Sequence, residues 1–183
     1  VTPFRQIKRE DVAMGVKEAV AERRSIRQYA ETSIPQEHME ILFKALQLAP
    51  SASNLQNWEF IFVRDPHIKQ DLVPACYMQK FVAECTYFIA AVADPSLKWH
   101  MVDITIALTN FTLQAVELGY GTCWIGAFNE FMVKELLGVP EDKKVVICMT
   151  FGVPRVTPPA RTRKAIEEFV FVDSYGSRWT PTS

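Results

Sequence analysis

Four stretches of this chain concentrate side chains that could bind a small molecule. The densest is Arg23-Arg24-Ser25-Ile26-Arg27, three guanidinium groups and a hydroxyl within five residues. Like charges so close repel, and a dianion among them turns that repulsion into charge-assisted hydrogen bonds. A second basic run, Arg161-Thr162-Arg163-Lys164, follows two prolines far along the chain. Arginine pairs from the two runs could converge on one phosphate. Taken singly, each run also reads as a solvated surface. Between them lies Pro50-Ser51-Ala52-Ser53-Asn54-Leu55-Gln56-Asn57-Trp58. Its hydroxyls, amides and free backbone N–H groups suit the polar edge of a planar heterocycle or a polyol chain; the plain reading is a polar turn. The fourth stretch, Leu118-Gly119-Tyr120-Gly121-Thr122-Cys123-Trp124-Ile125-Gly126, carries glycines that let a backbone approach a ligand closely, or that simply turn the chain.

Other chemistries lack their residues. Cys76, Cys85, Cys123 and Cys148 form no Cys-x-x-Cys pair and sit in apolar surroundings, so neither a zinc ribbon nor a disulfide scaffold is expected, and a reducing cytoplasm is. His38, His67 and His100 lie beside none of them, which argues against a cysteine nucleophile and against a metal site. There is no P-loop and no Gly-x-Gly-x-x-Gly, so a nicotinamide would visit rather than occupy a dinucleotide fold. The net charge of −1 argues against a nucleic-acid coat. The longest apolar run, Met101 to Leu118, holds Asp103, Asn110, Gln114 and Glu117 and is too polar for a membrane span. No signal-peptide pattern opens the chain, although numbering from Val1 leaves a removed leader open.

These groups need elements to position them. The spacing predicts a helix over 9–24, with Val12, Val16, Ala19 and Val20 on one face. Ser33-Ile34-Pro35-Gln36 resembles a capping box opening a second helix, with a stripe of Met39, Leu42, Phe43 and Leu46 and an end at Pro50. Strands are expected at Trp58–Val63, Tyr87–Val92, Thr122–Ile125, Lys144–Gly152 and Glu168–Val172. Short helices are expected from Asp65-Pro66 to Val73, over Tyr77–Ala83 and over Glu130–Leu137, with Gly138 at the end of the last. His100–Leu118 is the central helix, closed by Gly119, and is apolar on nearly every side. It either meets a second copy of the chain or lies wholly inside a monomer. The mixture argues an α+β or α/β fold with a sheet covered by helices, in one domain over residues 1–183 with extended ends near 1–10 and 174–183.

Arg-Arg-Ser-Ile-Arg-x-Tyr, then Ala-Pro-Ser-Ala-Ser-Asn-x-Gln-x-Trp, then Leu-Gly-x-Gly-x-x-Trp-Ile-Gly, in this order, resembles the nitroreductase family of flavin enzymes from about Val16 to Val172. The resemblance implies an α+β fold with a mostly antiparallel sheet. It further implies an intertwined homodimer whose C-terminal strand, Glu168–Val172, extends the partner's sheet. FMN would bind non-covalently. Arg23, Arg24, Ser25 and Arg27 would hold its phosphate and one ring edge, completed by Arg161 and Arg163. Pro50, Ser51, Ala52 and Asn54 would come from the partner; Gln79 would reach the ring or ribityl chain; Ile125, Gly126 and Ala127 would lie near its reactive edge. NADH or NADPH would donate hydride in a ping-pong cycle to a nitroaromatic or quinone, with no catalytic side chain. The alternative is a flavin-binding carrier, sensor or interaction protein without turnover. Asn57 stands where the family usually has proline, which would soften the loop, and the short stretch Val92–Val102 implies an open pocket.

Overall fold

The computed structural model describes residues 14–181; the start of the expected first helix, with Val12, lies outside the described residues. The chain runs through α1 (Val16–Glu22), α2 (Gln36–Gln47), β1 (Glu59–Val63), α3 (Pro66–Ala75), α4 (Phe81–Glu84) and β2 (Tyr87–Ala93). It continues through α5 (His100–Glu117), β3 (Gly121–Ile125), α6 (Glu130–Leu137) and β4 (Lys144–Gly152). Single 3-10 turns occupy Ala52–Asn54 and Ile166–Glu168. The strands form one antiparallel sheet in the order β1-β2-β4-β3. This is the α+β class expected.

Side chains of the inner strands alternate between two cores because successive Cβ atoms point to opposite faces. Ile89, Ala91, Met149 and Phe151 meet Leu42 of α2 and Ile104, Leu108 and Phe111 of α5. Phe88, Ala90, Val92 and Cys148 meet Leu72 of α3, Val82 of α4 and Val133 of α6. Between Ala91 and Val92 the β4 partner steps from Ile147 to Val145. That bulge at Val146 changes the alternation, so Val145 joins the α3–α4–α6 core while Ile147 packs towards α5.

Helix ends follow local chemistry in some places and not in others. Asp65 Oδ1 accepts from His67 N (2.8 Å) and Ile68 N (3.2 Å), with Pro66 at the first helical position. The Ser33 capping box does not form: Pro35 itself is the N-cap of α2, so Ser33 falls too early to reach the first turn. The expected Tyr77–Ala83 helix shrinks to Phe81–Glu84, because Tyr77 and Met78 take left-handed conformations (φ 50° and 62°) that break it. Gly119, at φ 82°, closes α5 as a left-handed residue should. The expected Glu168–Val172 strand is absent: Phe171 makes only an isolated bridge to Arg178. The segment folds back on itself instead, with Val172 N donating to Ser177 O (2.8 Å) and Trp179 N to Val170 O (3.0 Å).

α5 is not wholly internal. Asp103, Ile104, Ala107, Leu108, Phe111, Thr112 and Ala115 are buried, while Met101 and Val102 on the open side are about half exposed, at 53% and 47%.

Candidate functional site

The first arginine run is held against the sheet by main-chain bonds. Leaving α1, the chain runs beside β3, where Ile26 N donates to Thr122 O (2.9 Å). It then pairs with the segment that leaves β4: Ala30 N donates to Val153 O (2.8 Å) and Arg155 N to Gln28 O (2.9 Å). Tyr29, buried between them, donates its hydroxyl proton to Ile26 O (2.8 Å). With that proton committed, Thr150 Oγ1 donates the 2.7 Å bond to the phenol oxygen. Burial pushes the Tyr29 hydroxyl far above its ordinary range, so it stays a neutral donor. Gly121 permits this contact: a Cβ there would lie 2.3 Å from Ile26 Cγ1.

Beyond Arg155 the chain turns back past the end of α1. The two segments enclose a cavity of about 480 Å³ lined by Arg23, Arg24, Ser25 and Arg27 on one side and Pro158, Pro159, Ala160, Arg161 and Arg163 on the other. No carboxylate lines it, and among the described residues none of the five guanidinium groups has an ion-pair partner. Arg24 is partly committed: Nη1 donates to Ala21 O (2.7 Å) and Arg23 O (2.8 Å), closing the carbonyl end of α1. Cys123 lies behind this cradle. Burial raises its thiol pKa, and Arg27, a hydrogen bond with Ser25, and Arg23 oppose the rise.

A second group adjoins the first. The Arg27 guanidinium sits 5.9 Å from the centroid of the Phe81 ring. Two residues earlier, Gln79 Nε2 donates to Cys76 O (3.0 Å) and Ala127 O (3.2 Å). Its amide protons are spent inside the protein, and its Oε1 remains as an acceptor. Ala127 continues Ile125 and Gly126 at the end of β3; Gly126 and Ala127 are exposed, Ile125 buried.

The Pro50–Asn54 loop is not brought to the cradle within one chain. It is anchored to α5, where the buried Asp103 carboxylate accepts from Ala52 N (3.0 Å). Ser51 Oγ accepts from Gln56 N (2.9 Å). Ser53, Asn54 and Gln56 all have positive φ (51°, 55° and 52°), so three non-glycine residues carry backbone strain in one short loop. Asn57 does not soften the loop. Its amide exchanges two 3.2 Å hydrogen bonds with the Asp94 backbone and ties the loop to the end of β2, a link proline could not make. Sequence reasoning missed Asp103 as an anchor, although an isolated acid in the apolar run of α5 was the available signal. It also missed Tyr29, whose place in Arg-x-Tyr was visible but whose partner Thr150 was not.

The Nitroreductase family model matches residues 20–94 and 79–153. This chain belongs to the nitroreductase family. It is 36% identical over 142 residues to an Archaeoglobus fulgidus protein provisionally named NADH dehydrogenase/NAD(P)H nitroreductase, spanning 73% of this chain and 82% of that one. It is 26% identical over 176 residues to the NADPH-flavin oxidoreductase of Vibrio harveyi, spanning 86% and 73%. The crystal structure of a nitroreductase family protein from Clostridium novyi NT superimposes with a TM-score of 0.75 at 30% identity, covering 91% of this chain and 97% of the other. An FMN-dependent nitroreductase from Clostridium difficile R20291 gives 0.78 at 27% identity, covering 86% and 98%. The sheet and flanking helices described above are therefore the nitroreductase fold.

Proposed function

We propose that this nitroreductase-family chain is an NAD(P)H-dependent oxidoreductase that holds FMN non-covalently between two copies of itself. The observation that carries the reading is the cavity beyond α1, where arginines from opposite ends of the chain surround a space without a carboxylate. Its donors are guanidinium N–H groups and a hydroxyl, a set matched to a phosphate dianion. Arg23, Arg161 and Arg163 would hold that phosphate with the Ser25 hydroxyl, and Arg24 would add its uncommitted edge. Arg27 would meet the pyrimidine edge of the ring. Gln79 would accept through Oε1, and the backbone of Ile125, Gly126 and Ala127 would face the reactive edge. Pro50, Ser51, Ala52 and Asn54 would close the site from the second copy. When bound, FMN would supply the hydride chemistry, so no side-chain nucleophile is required.

Names of relatives support this reading: an NADPH-flavin oxidoreductase, and the FMN reductase (NADPH) of Bacillus subtilis. Residues 94–99 alone join β2 to α5, too few to insert a helical excursion there, and one open face would serve NADH or NADPH and then a nitroaromatic or quinone, in ping-pong order. The homodimer is supported by an apolar groove of about 470 Å³ between α1, α2 and α5, lined by Val16, Ala19, Leu48 and Leu113 among others. It is supported also by the outer edge of β1, which has no strand partner among the described residues and could accept the Glu168–Val172 segment of a second copy. Four free, buried cysteines favour a reducing compartment such as the cytoplasm. The whole chain, residues 1–183, is read as one domain.

Purified protein should be yellow, and stopped-flow mixing with NADH or NADPH should bleach it before a nitroaromatic or quinone restores the colour. Arg23→Ala and Arg161→Ala should each weaken FMN binding about tenfold or more, the worth of a charge-assisted hydrogen bond. Protein that stays colourless after FMN addition refutes the reading. Bound flavin that no nicotinamide reduces would make the chain a carrier or sensor.

A further inference from the structure

We propose that the cleft beside the Tyr29–Ile34 segment is a second anion site, separate from the arginine cradle, which takes an oxyanion borne on an apolar body. The cleft has a volume of about 990 Å³ and shares no lining residue with the cradle. Its walls are the 29–34 loop, the start of α3, the corner between α4 and β2, and Arg155.

Lys69 is the deciding residue of this cleft. Lys69, Leu72, Val73 and Cys76 follow the i, i+3, i+4, i+7 spacing of the stripe that α3 turns to the core. A lysine occupies a position where an apolar residue would ordinarily pack. It is 7% exposed, and it is among the residues that line the cleft. Nζ donates to Cys85 O, which uses one of its three protons. Among the described residues no carboxylate lies within ion-pair distance of it. A buried cation held by one carbonyl is a costly arrangement unless an anion completes it.

Two further cations open onto the same space. Arg64, just past β1, and Arg155, just past β4, both line the cleft. Neither has a hydrogen-bonded or ion-paired side-chain partner among the described residues. Glu31 and Glu84 also line it, both exposed and neither paired with these cations. The lining therefore carries three positive charges against two negative, and the one buried charge is positive. Thr32, Ser33 and Thr86 add hydroxyls, while Ile34, Pro66 and Tyr87 add apolar surface. The volume lies at the upper end of the range for small-molecule sites. An anion with an apolar body fits this lining better than a bare ion. The oxyanion could come from a free organic acid or from a carboxylate of a second copy of the chain.

The test uses the FMN-loaded protein, whose cradle is filled, with benzoate and inorganic phosphate as probes at constant ionic strength. Melting temperature and sedimentation are read for the wild type, Lys69→Met and the pair Arg64→Ala/Arg155→Ala. Lys69→Met keeps the length and removes the charge; the exposed arginine pair answers if that variant fails to fold. For a free ligand, a probe should raise the wild-type melting temperature saturably, by roughly 5–10 °C at a hundredfold excess over Kd, and both variants should lose the rise. For a second copy's carboxylate, neither probe should act, and both variants should raise the dimer dissociation constant tenfold or more. Equal probe responses in all three proteins overturn the proposal. So does the absence of any response together with unchanged dimerisation.

Discussion

Replacing Tyr29 with phenylalanine removes one oxygen atom and tests how the first arginine run is held. The side chain is 4% exposed, and its hydroxyl makes two bonds, to Ile26 O at 2.8 Å and with Thr150 Oγ1 at 2.7 Å. The substituted ring would fill the same space, so no large cavity opens. The loss is confined to two buried polar groups, the Ile26 carbonyl and a Thr150 hydroxyl that is 0% exposed. Leaving a buried group unpaired costs about 1–3 kcal/mol, so the pair together costs about 2–6 kcal/mol. For a domain of this size that is a fall of roughly 4–24 °C in melting temperature. Thr150→Val should be less than additive with Tyr29→Phe, because the double variant leaves only the carbonyl unpaired; a coupling of about 1–2 kcal/mol is expected. Circular dichroism melts and urea titrations of the four proteins complete the cycle. A Tyr29→Phe melt within a degree of the wild type, or strict additivity, would refute the clamp. If the clamp holds, FMN affinity should also fall, because Ile26 sits between Ser25 and Arg27.

Gly121→Ala should destabilise the protein by about 1–3 kcal/mol, since its Cβ would stand 2.3 Å from Ile26 Cγ1 and the arginine segment would have to move off β3. Hydrogen exchange at the Ile26 amide should quicken with it. Asp103→Ala should free Ala52 N from its 3.0 Å anchor and raise the rate of proteolytic cutting within 51–57, read by mass spectrometry; an unchanged rate would mean the strained loop holds itself. Burial pushes the Cys76 and Cys85 thiols up to about 12. Their folded-state values lie above those of the unfolded chain, so the stability they contribute is complete below about pH 9 and disappears as pH rises towards 12. The urea midpoint should decline across that window, and a thiol reagent at pH 8 should leave both cysteines unmodified until the protein unfolds.

Elements with local punctuation were readable from the residues alone. α6 and β4 have the expected bounds because Asn129 and Gly138 bracket the one and a Val- and Ile-rich run defines the other. The start of α3 was legible in Asp65-Pro66, a cap whose geometry depends on two adjacent residues. What failed depended on main-chain bonding that no side chain announces. Tyr77 and Met78 have ordinary helix-compatible side chains, both exposed, and the left-handed backbone that shortens α4 closes the end of α3 through main-chain bonds from Tyr77 N to Pro74 O and from Met78 N to Val73 O. Glu168–Val172 has a strand's composition, yet Glu168 closes a 3-10 turn and 170–172 bond back to 177–179 rather than to the sheet. The two arginine runs were conspicuous as charge clusters. The main-chain bonds of 28–30 with 153–155, which carry both runs to one cavity, leave no side-chain signature. Nor could the Pro50–Asn54 loop be placed from one chain, since it does not share that cavity with the arginines.

The pairing of residues 28–30 with 153–155 also orders events during translation. Arg23 and Arg27 emerge early, yet the rail that fixes them is the last sheet strand and the stretch behind it. β4 lies between β2 and β3, so a nascent polypeptide cut off before residue 144 has no continuous sheet on which to lay its first arginines. If the arginine cradle takes a phosphate as proposed, a ribosome stalled or terminated before residue 144 would yield a product unable to load it, whatever the local concentration of ligand.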